Sequence, residues 1–222
     1  MHPPVNFDSV VLDALLNEWL GMQGERPAGS MAVLGPDPFA GPEKRLVLAV
    51  HPPRMFEAAR LLAQSADFLM AAGGSANRLV SWQHLSHLPD EPLLGWRRIW
   101  LDQGYLSLVR VAFSLPGGRA FECFLFSKRL LRDRSDAARA AWSLMNLWPQ
   151  LRKSLVEARC LLSPRERECL ALAFDGLIAR ESADRLGCSE RTVNYHLANA
   201  MAKLKVDNKL AAIQRACWIG AI

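Results

Sequence analysis

The chain lacks the signatures of a disulfide scaffold, a metalloprotein, a membrane protein or a familiar enzyme. Its five cysteines, Cys123, Cys160, Cys169, Cys188 and Cys217, show no CxxC spacing, which excludes a zinc ribbon or a disulfide framework. His84 and His87 lie three apart, but no nearby cysteine or carboxylate completes a ligand set, so no metal is expected. There is no Gly-rich phosphate loop and no G-x-S-x-G elbow, so neither catalysis nor a cofactor is expected. Cys123 sits in a hydrophobic strand pattern and reads as core, not as a nucleophile. Cys169, Cys188 and Cys217 fall at apolar-periodic positions and read as small hydrophobes. No apolar run approaches the ~20 residues needed to cross a bilayer. The first residues, MHPPVNFDS, carry no basic region followed by an apolar stretch, so a signal peptide is not expected and a cytoplasmic location is.

Half of the 222 residues are hydrophobic, which predicts a buried core. The net charge is +5. Residues 158–222 hold ten Lys and Arg against seven Asp and Glu, so +3 of the excess lies in the last third. That charge permits an anionic partner without proving one.

Apolar spacing predicts a helix over 7–22, through Val11, Leu15, Leu16 and Trp19. Met31–Leu34 and Leu46–Val50 read as two strands around the loop signal GPDPFAGPEK. Helices are expected over 54–72 and 92–103, the second stopping near Gly104. YLSLVRVAF and RAFECFLFS, joined by LPGG, read as a β-hairpin. A long helix is expected over 131–158, with Ala138, Ala141, Trp142, Met145, Trp148, Leu151 and Leu155 as its apolar face, kinked or split at Pro149. The fold class is therefore α+β: an N-terminal α/β/α sandwich with an antiparallel sheet over 1–157, and a helical domain over 158–222.

The C-terminal part is the more legible. Ser163-Pro164-Arg165-Glu166 has a cap, a proline at the first helical position and a glutamate to close a capping box. Leu170, Ala171, Ala173 and Phe174 supply the buried face, and Gly176 ends the helix. ARESADRL makes a second helix ended by Gly187. Ser189 caps a third, and a fourth runs from about Asn208 to Gly220. In the third helix Val193, Leu197, Ala200, Met201 and Leu204 form one face. Arg191, Thr192, Asn194, Tyr195 and Ala198 form the other, which suits entry into a DNA major groove.

These residues resemble the LuxR-type helix-turn-helix family. The likeness runs through LSPRERECL, Ala173 to Gly176, Cys188-Ser189, Thr192-Val193-Asn194, His196-Leu197, Asn199-Ala200, Lys203-Leu204 and Asn208-Lys209. It departs at Arg180-Glu181-Ser182, where the family usually has Ser or Thr earlier in the helix. The resemblance implies that Thr192, Asn194, Tyr195 and Ala198 face bases, and that Arg191, Lys203 and Lys209 meet phosphates. Asn194 can bond an adenine edge and Ala198 can touch a thymine methyl. The partner implied is a pseudo-palindromic duplex bound by a homodimer.

A phosphoacceptor domain is excluded, because Asp8, Asp13 and Asp37 stand in unsuitable contexts. The first 157 residues resemble, more distantly, the autoinducer-binding domains of quorum-sensing regulators. That resemblance implies a small-molecule signal held near Asp67, Trp82, Trp96, Trp100 and Met55. Asp67 precedes Trp82 by the family's spacing, but Phe68 replaces the family's proline, and the aromatic partners expected near Met55 and Ala58 are missing. Two functions follow: a DNA-binding transcription regulator, or a module that inhibits related regulators by heterodimerisation.

Overall fold

The computed structural model describes residues 28–71, 79–87 and 95–222. The helix expected over 7–22 lies outside them. The chain divides into two compact units. One takes the described residues up to Ser114 together with Ala120–Leu155. The other takes Leu115–Arg119 with Val156–Ile222.

In the first unit, β1 (Ala28–Pro36) and β2 (Arg45–His51) are followed by α1 (Phe56–Ala71), β3 (Val80–His84) and α2 (Gly95–Asp102). The hairpin strands β4 (Ser107–Leu115) and β5 (Arg119–Ser127) then lead into α3 (Arg134–Arg159). The strands form one sheet in the order β2-β1-β5-β4-β3. The pairings of β1 with β2, β1 with β5 and β3 with β4 are antiparallel. Gly117 and Gly118, at φ of 74° and 71°, make the tight turn between β4 and β5, as the LPGG signal requires.

Alternation along the strands gives the sheet two apolar faces. Ala32, Leu34, Leu108, Phe124 and Phe126 meet Met55, Leu62, Trp96 and Trp100 of the α1–α2 side. On the opposite face the Trp148 ring of α3 stacks on Phe113 at 4.0 Å and lies 5.3 Å from Phe121. Helices therefore cover both faces, an α/β/α sandwich. Towards one end of the first face, buried Glu122 accepts from Arg110 Nε at 2.7 Å and also pairs with Arg45. A buried carboxylate persists only with such partners.

A split at Pro149, one of the two outcomes expected there, and the expected apolar face of α3 need correction. The helix is not split at Pro149; it runs unbroken for 26 residues. Pro149 is exposed, so the carbonyl that loses its amide partner can turn to water. The expected apolar face also mixes two. Ala137, Ala140, Ala141, Leu144, Leu147, Leu151 and Leu155 are buried, whereas Ala138, Trp142 and Met145 point outward. Among the described residues no helix is long and apolar enough to cross a membrane.

The second unit holds α4 (Pro164–Phe174), α5 (Ala179–Leu186), α6 (Glu190–Leu204) and α7 (Lys209–Trp218). Leu162, Cys169, Leu170, Ala183, Val193, Leu197, Leu204 and Ile213 are among the residues of its core. Phe174, expected inside, is exposed because it flanks the stripe formed by Glu166, Cys169 and Leu170 in the last turn of α4. Cys188 is exposed too, since it lies in the turn after Gly187 and not on a helix face.

Candidate nucleic-acid interface

Each helix of the second unit starts and stops on a local device. Ser163 Oγ accepts from the Glu166 amide at 3.3 Å, and Glu166 Oε2 accepts from the Ser163 amide at 2.7 Å. This reciprocal box satisfies two amides that a helix start leaves unbonded. Glu166 is buried and also accepts from Lys203 Nζ at 2.8 Å. Burial alone would push its carboxyl up. The Lys203 ammonium and the Ser163 amide and hydroxyl outweigh that and hold it below the usual carboxylate range.

The α5 start is weaker. Glu181 accepts from the Ile178 amide at 2.9 Å, but Ile178 offers no acceptor in return. Gly187, at φ 63° and ψ 40°, closes the helix in the left-handed conformation that favours glycine, and turns the chain into α6. There Ser189 Oγ accepts from the Thr192 amide at 3.1 Å and lies 2.8 Å from the Thr192 hydroxyl. At the far end Lys205 is left-handed at φ 54°. Arg215 of α7 donates to the Leu204 carbonyl at 2.6 Å and to that of Lys205 at 3.2 Å.

Between these fixed ends α6 has two sides. Val193, Leu197, Ala200 and Leu204 are buried. Arg191, Asn194, Tyr195 and Ala198 are exposed, at the spacing that places them on one helical stripe. Tyr195 is 63% exposed, with its ring edge towards His196 at 5.6 Å. Four of the residues expected to face DNA are thus brought together. Thr192 is half-buried and its hydroxyl is occupied by Ser189, which makes it a capping residue as well. Lys209 is exposed in the first turn of α7. Lys203 is committed to Glu166, a partner 37 residues away that spacing does not reveal. Exposed cations to which the sequence assigns no role include Arg180 in the first turn of α5, Arg185 in its last turn and Lys205 at the end of α6. A cation in a first turn, where the helix dipole disfavours it, was the available signal for Arg180.

The residues expected around a small molecule separate into two groups. Met55, Trp96 and Trp100 share one cluster with Tyr105 and Phe126. Trp100 stacks on Phe126 at 3.6 Å and meets Tyr105 edge-on at 5.3 Å. The Trp96 and Trp100 indole N–H groups are buried there with no acceptor among the described residues. Trp82 lies elsewhere. It pairs with Val109 of β4, whose neighbour Leu108 faces the Trp96 cluster, so Trp82 and Val109 occupy the α3 face. Asp67 falls in α1, with its side chain outside the described residues. Cys123 is fully buried; burial and then the adjacent Glu122 carboxylate push its thiol far up, which makes it inert.

Residues 161–216 match the luxR family of bacterial regulatory proteins. The transcriptional activator LuxR of Aliivibrio fischeri is 38% identical over 80 residues, 36% of this chain and 32% of that protein. The chain therefore spans about a third of that relative's length. The transcriptional activator SolR of Ralstonia nicotianae is 42% identical over 170 residues, 70% of this chain and 69% of that protein. The crystal structure of Escherichia coli SdiA superposes with a TM-score of 0.47 at 19% identity, covering 95% of this chain and 92% of that one. With the family match on the helical unit and the SolR identity reaching well beyond it, the chain belongs to the LuxR family of bacterial regulatory proteins.

Proposed function

We propose that the chain is a sequence-specific, DNA-binding transcription regulator that acts in the cytoplasm as a homodimer on a pseudo-palindromic operator. Residues 158–222 carry the DNA-binding domain and residues 1–157 the sensory and dimerisation domain. The observation that carries this reading is the exposed stripe of Arg191, Asn194, Tyr195 and Ala198 on a helix whose opposite face is buried. Asn194 reads an adenine edge, Ala198 and the Tyr195 ring give apolar contact, and Arg191 and Lys209 hold phosphates.

The sensory domain takes an apolar small molecule with acceptor oxygens. Two buried indole donors support that reading, because an unbonded buried N–H costs about 1–3 kcal/mol and an acceptor entering the Trp96–Trp100 cluster would remove the cost. Met55 belongs to the same cluster, and Trp82 stands apart from it.

Selection from random duplexes at fixed salt tests the main reading. The wild-type chain should enrich one palindromic motif. Asn194→Ala and Arg191→Ala should each lose about 1–3 kcal/mol of affinity for it. Ala198, which puts no polar group on the reading face, favours the second reading, a module that inhibits related regulators by heterodimerisation and binds DNA weakly. That reading predicts no enriched motif.

A further inference from the structure

Three of the four helices in the second unit end on a glycine with positive φ: Gly176 after α4, Gly187 after α5 and Gly220 after α7. The reading helix α6 ends on a lysine. Lys205 stands at φ 54° and ψ 52°, and among the described residues it is the only one besides glycine with a positive φ. A side chain in that conformation brings its Cβ close to the following carbonyl oxygen, which is why glycine is the usual occupant. The turn uses only the backbone of Lys205. Its amide donates to the Ala202 carbonyl at 3.1 Å, and its own carbonyl accepts from Arg215 at 3.2 Å. Glycine would make both bonds without strain. The Lys205 side chain is exposed, so burial does not account for it either. Strain held where the fold does not require it points to work done outside the fold.

The surroundings say what that work is. Lys203, Lys205 and Lys209 crowd the α6–α7 turn, with Asp207 the one acid between them. Lys203 is committed to Glu166. The first amides of α7, which starts here behind the Asn208 cap, add positive character. Lys205 follows Arg191 by fourteen residues, about 21 Å along a helix, against a major-groove width of about 12 Å. With residues 191–198 at base edges, the α6–α7 turn therefore stands over the backbone that borders the groove. We infer that Lys205 binds a DNA phosphate and, with Lys209, makes this turn the second backbone anchor of α6, Arg191 being the first. The inference rests on the DNA-binding reading above and adds to it the lysine that holds the far end of the reading helix.

Lys205→Gly in the full chain tests this through two readouts that should move in opposite directions. The urea midpoint should rise as the strain goes. Affinity for the motif selected by the wild type should fall about fivefold near 0.15 M salt, and the slope of log K against log salt should drop by about one, as one phosphate contact is lost. Lys205→Arg, which keeps both charge and strain, should keep the wild-type slope. Single methylphosphonate replacements beside the motif should include one that weakens the wild type and leaves Lys205→Gly unaffected. A raised midpoint with wild-type affinity and slope would overturn the inference, showing the strain to be merely tolerated. So would weaker binding at an unchanged slope, which would make Lys205 a shaper of the turn. A lowered midpoint would remove the premise that the side chain gives the fold nothing. A wild type that enriches no motif and shows no salt-dependent duplex binding would overturn both this inference and the DNA-binding reading.

Discussion

Ile178 stands at the start of α5 with a side chain that cannot accept the hydrogen bonds the first amides offer. Glu181 supplies half of a capping box and nothing supplies the other half. Ile178 is also exposed, so its apolar surface gains little from burial. Ile178→Ser should complete the box and stabilise the chain by about 1 kcal/mol. Urea unfolding should show a higher midpoint at unchanged slope; a lower midpoint would mean that the isoleucine packs against something the cap would displace. Single positions such as this were legible in the sequence only where the chemistry is local. Ser163 with Glu166, Ser189 and Gly187 could be read directly, because each acts within three or four residues. The double duty of Thr192 and the burial of Glu166 could not, because they depend on atoms brought in by folding.

At the scale of elements, the Glu166–Lys203 pair ties the first turn of α4 to the last turn of α6. The folded state holds the Glu166 carboxyl below its ordinary, unfolded-chain value. The pair's stabilisation is therefore complete above that value and lost as pH falls through the lower, folded one. Unfolding followed between pH 7 and 3 should show a decline in the acid range that is shallower in Glu166→Gln; an identical decline would assign the acid sensitivity to other carboxylates. The hairpin β4–β5 was readable because β-branched and aromatic runs flank a two-glycine turn. The faces of α3 were not. A helix apolar on both sides gives a period without saying which side meets the sheet, so spacing alone groups Trp142 and Met145 with Leu151 and Leu155. Trp82 raised a similar difficulty, since its face depends on its pairing with Val109.

For the whole molecule, the +3 excess of residues 158–222 should appear as a salt-dependent affinity for duplex DNA. Lys209 and Lys203 separate two kinds of lysine. Lys209→Gln should weaken binding to all sequences and lower the slope of log K against log salt by about one. Lys203→Gln should leave that slope nearly unchanged and lower thermal stability, because its charge is engaged with Glu166. A slope change in Lys203→Gln equal to that in Lys209→Gln would return Lys203 to the phosphate contacts.

The two held ends of α6 bear on the heat of its encounters. Helices fray from their termini, and a frayed reading element must be ordered at the moment of contact. Here the Ser189 hydroxyl fixes one end, and the Arg215 guanidinium, over the Leu204 and Lys205 carbonyls, fixes the other. The ordering cost of α6 is met when the chain folds. Its docking should thus carry only the small heat-capacity change of rigid surfaces meeting, without the larger one that accompanies coupled folding.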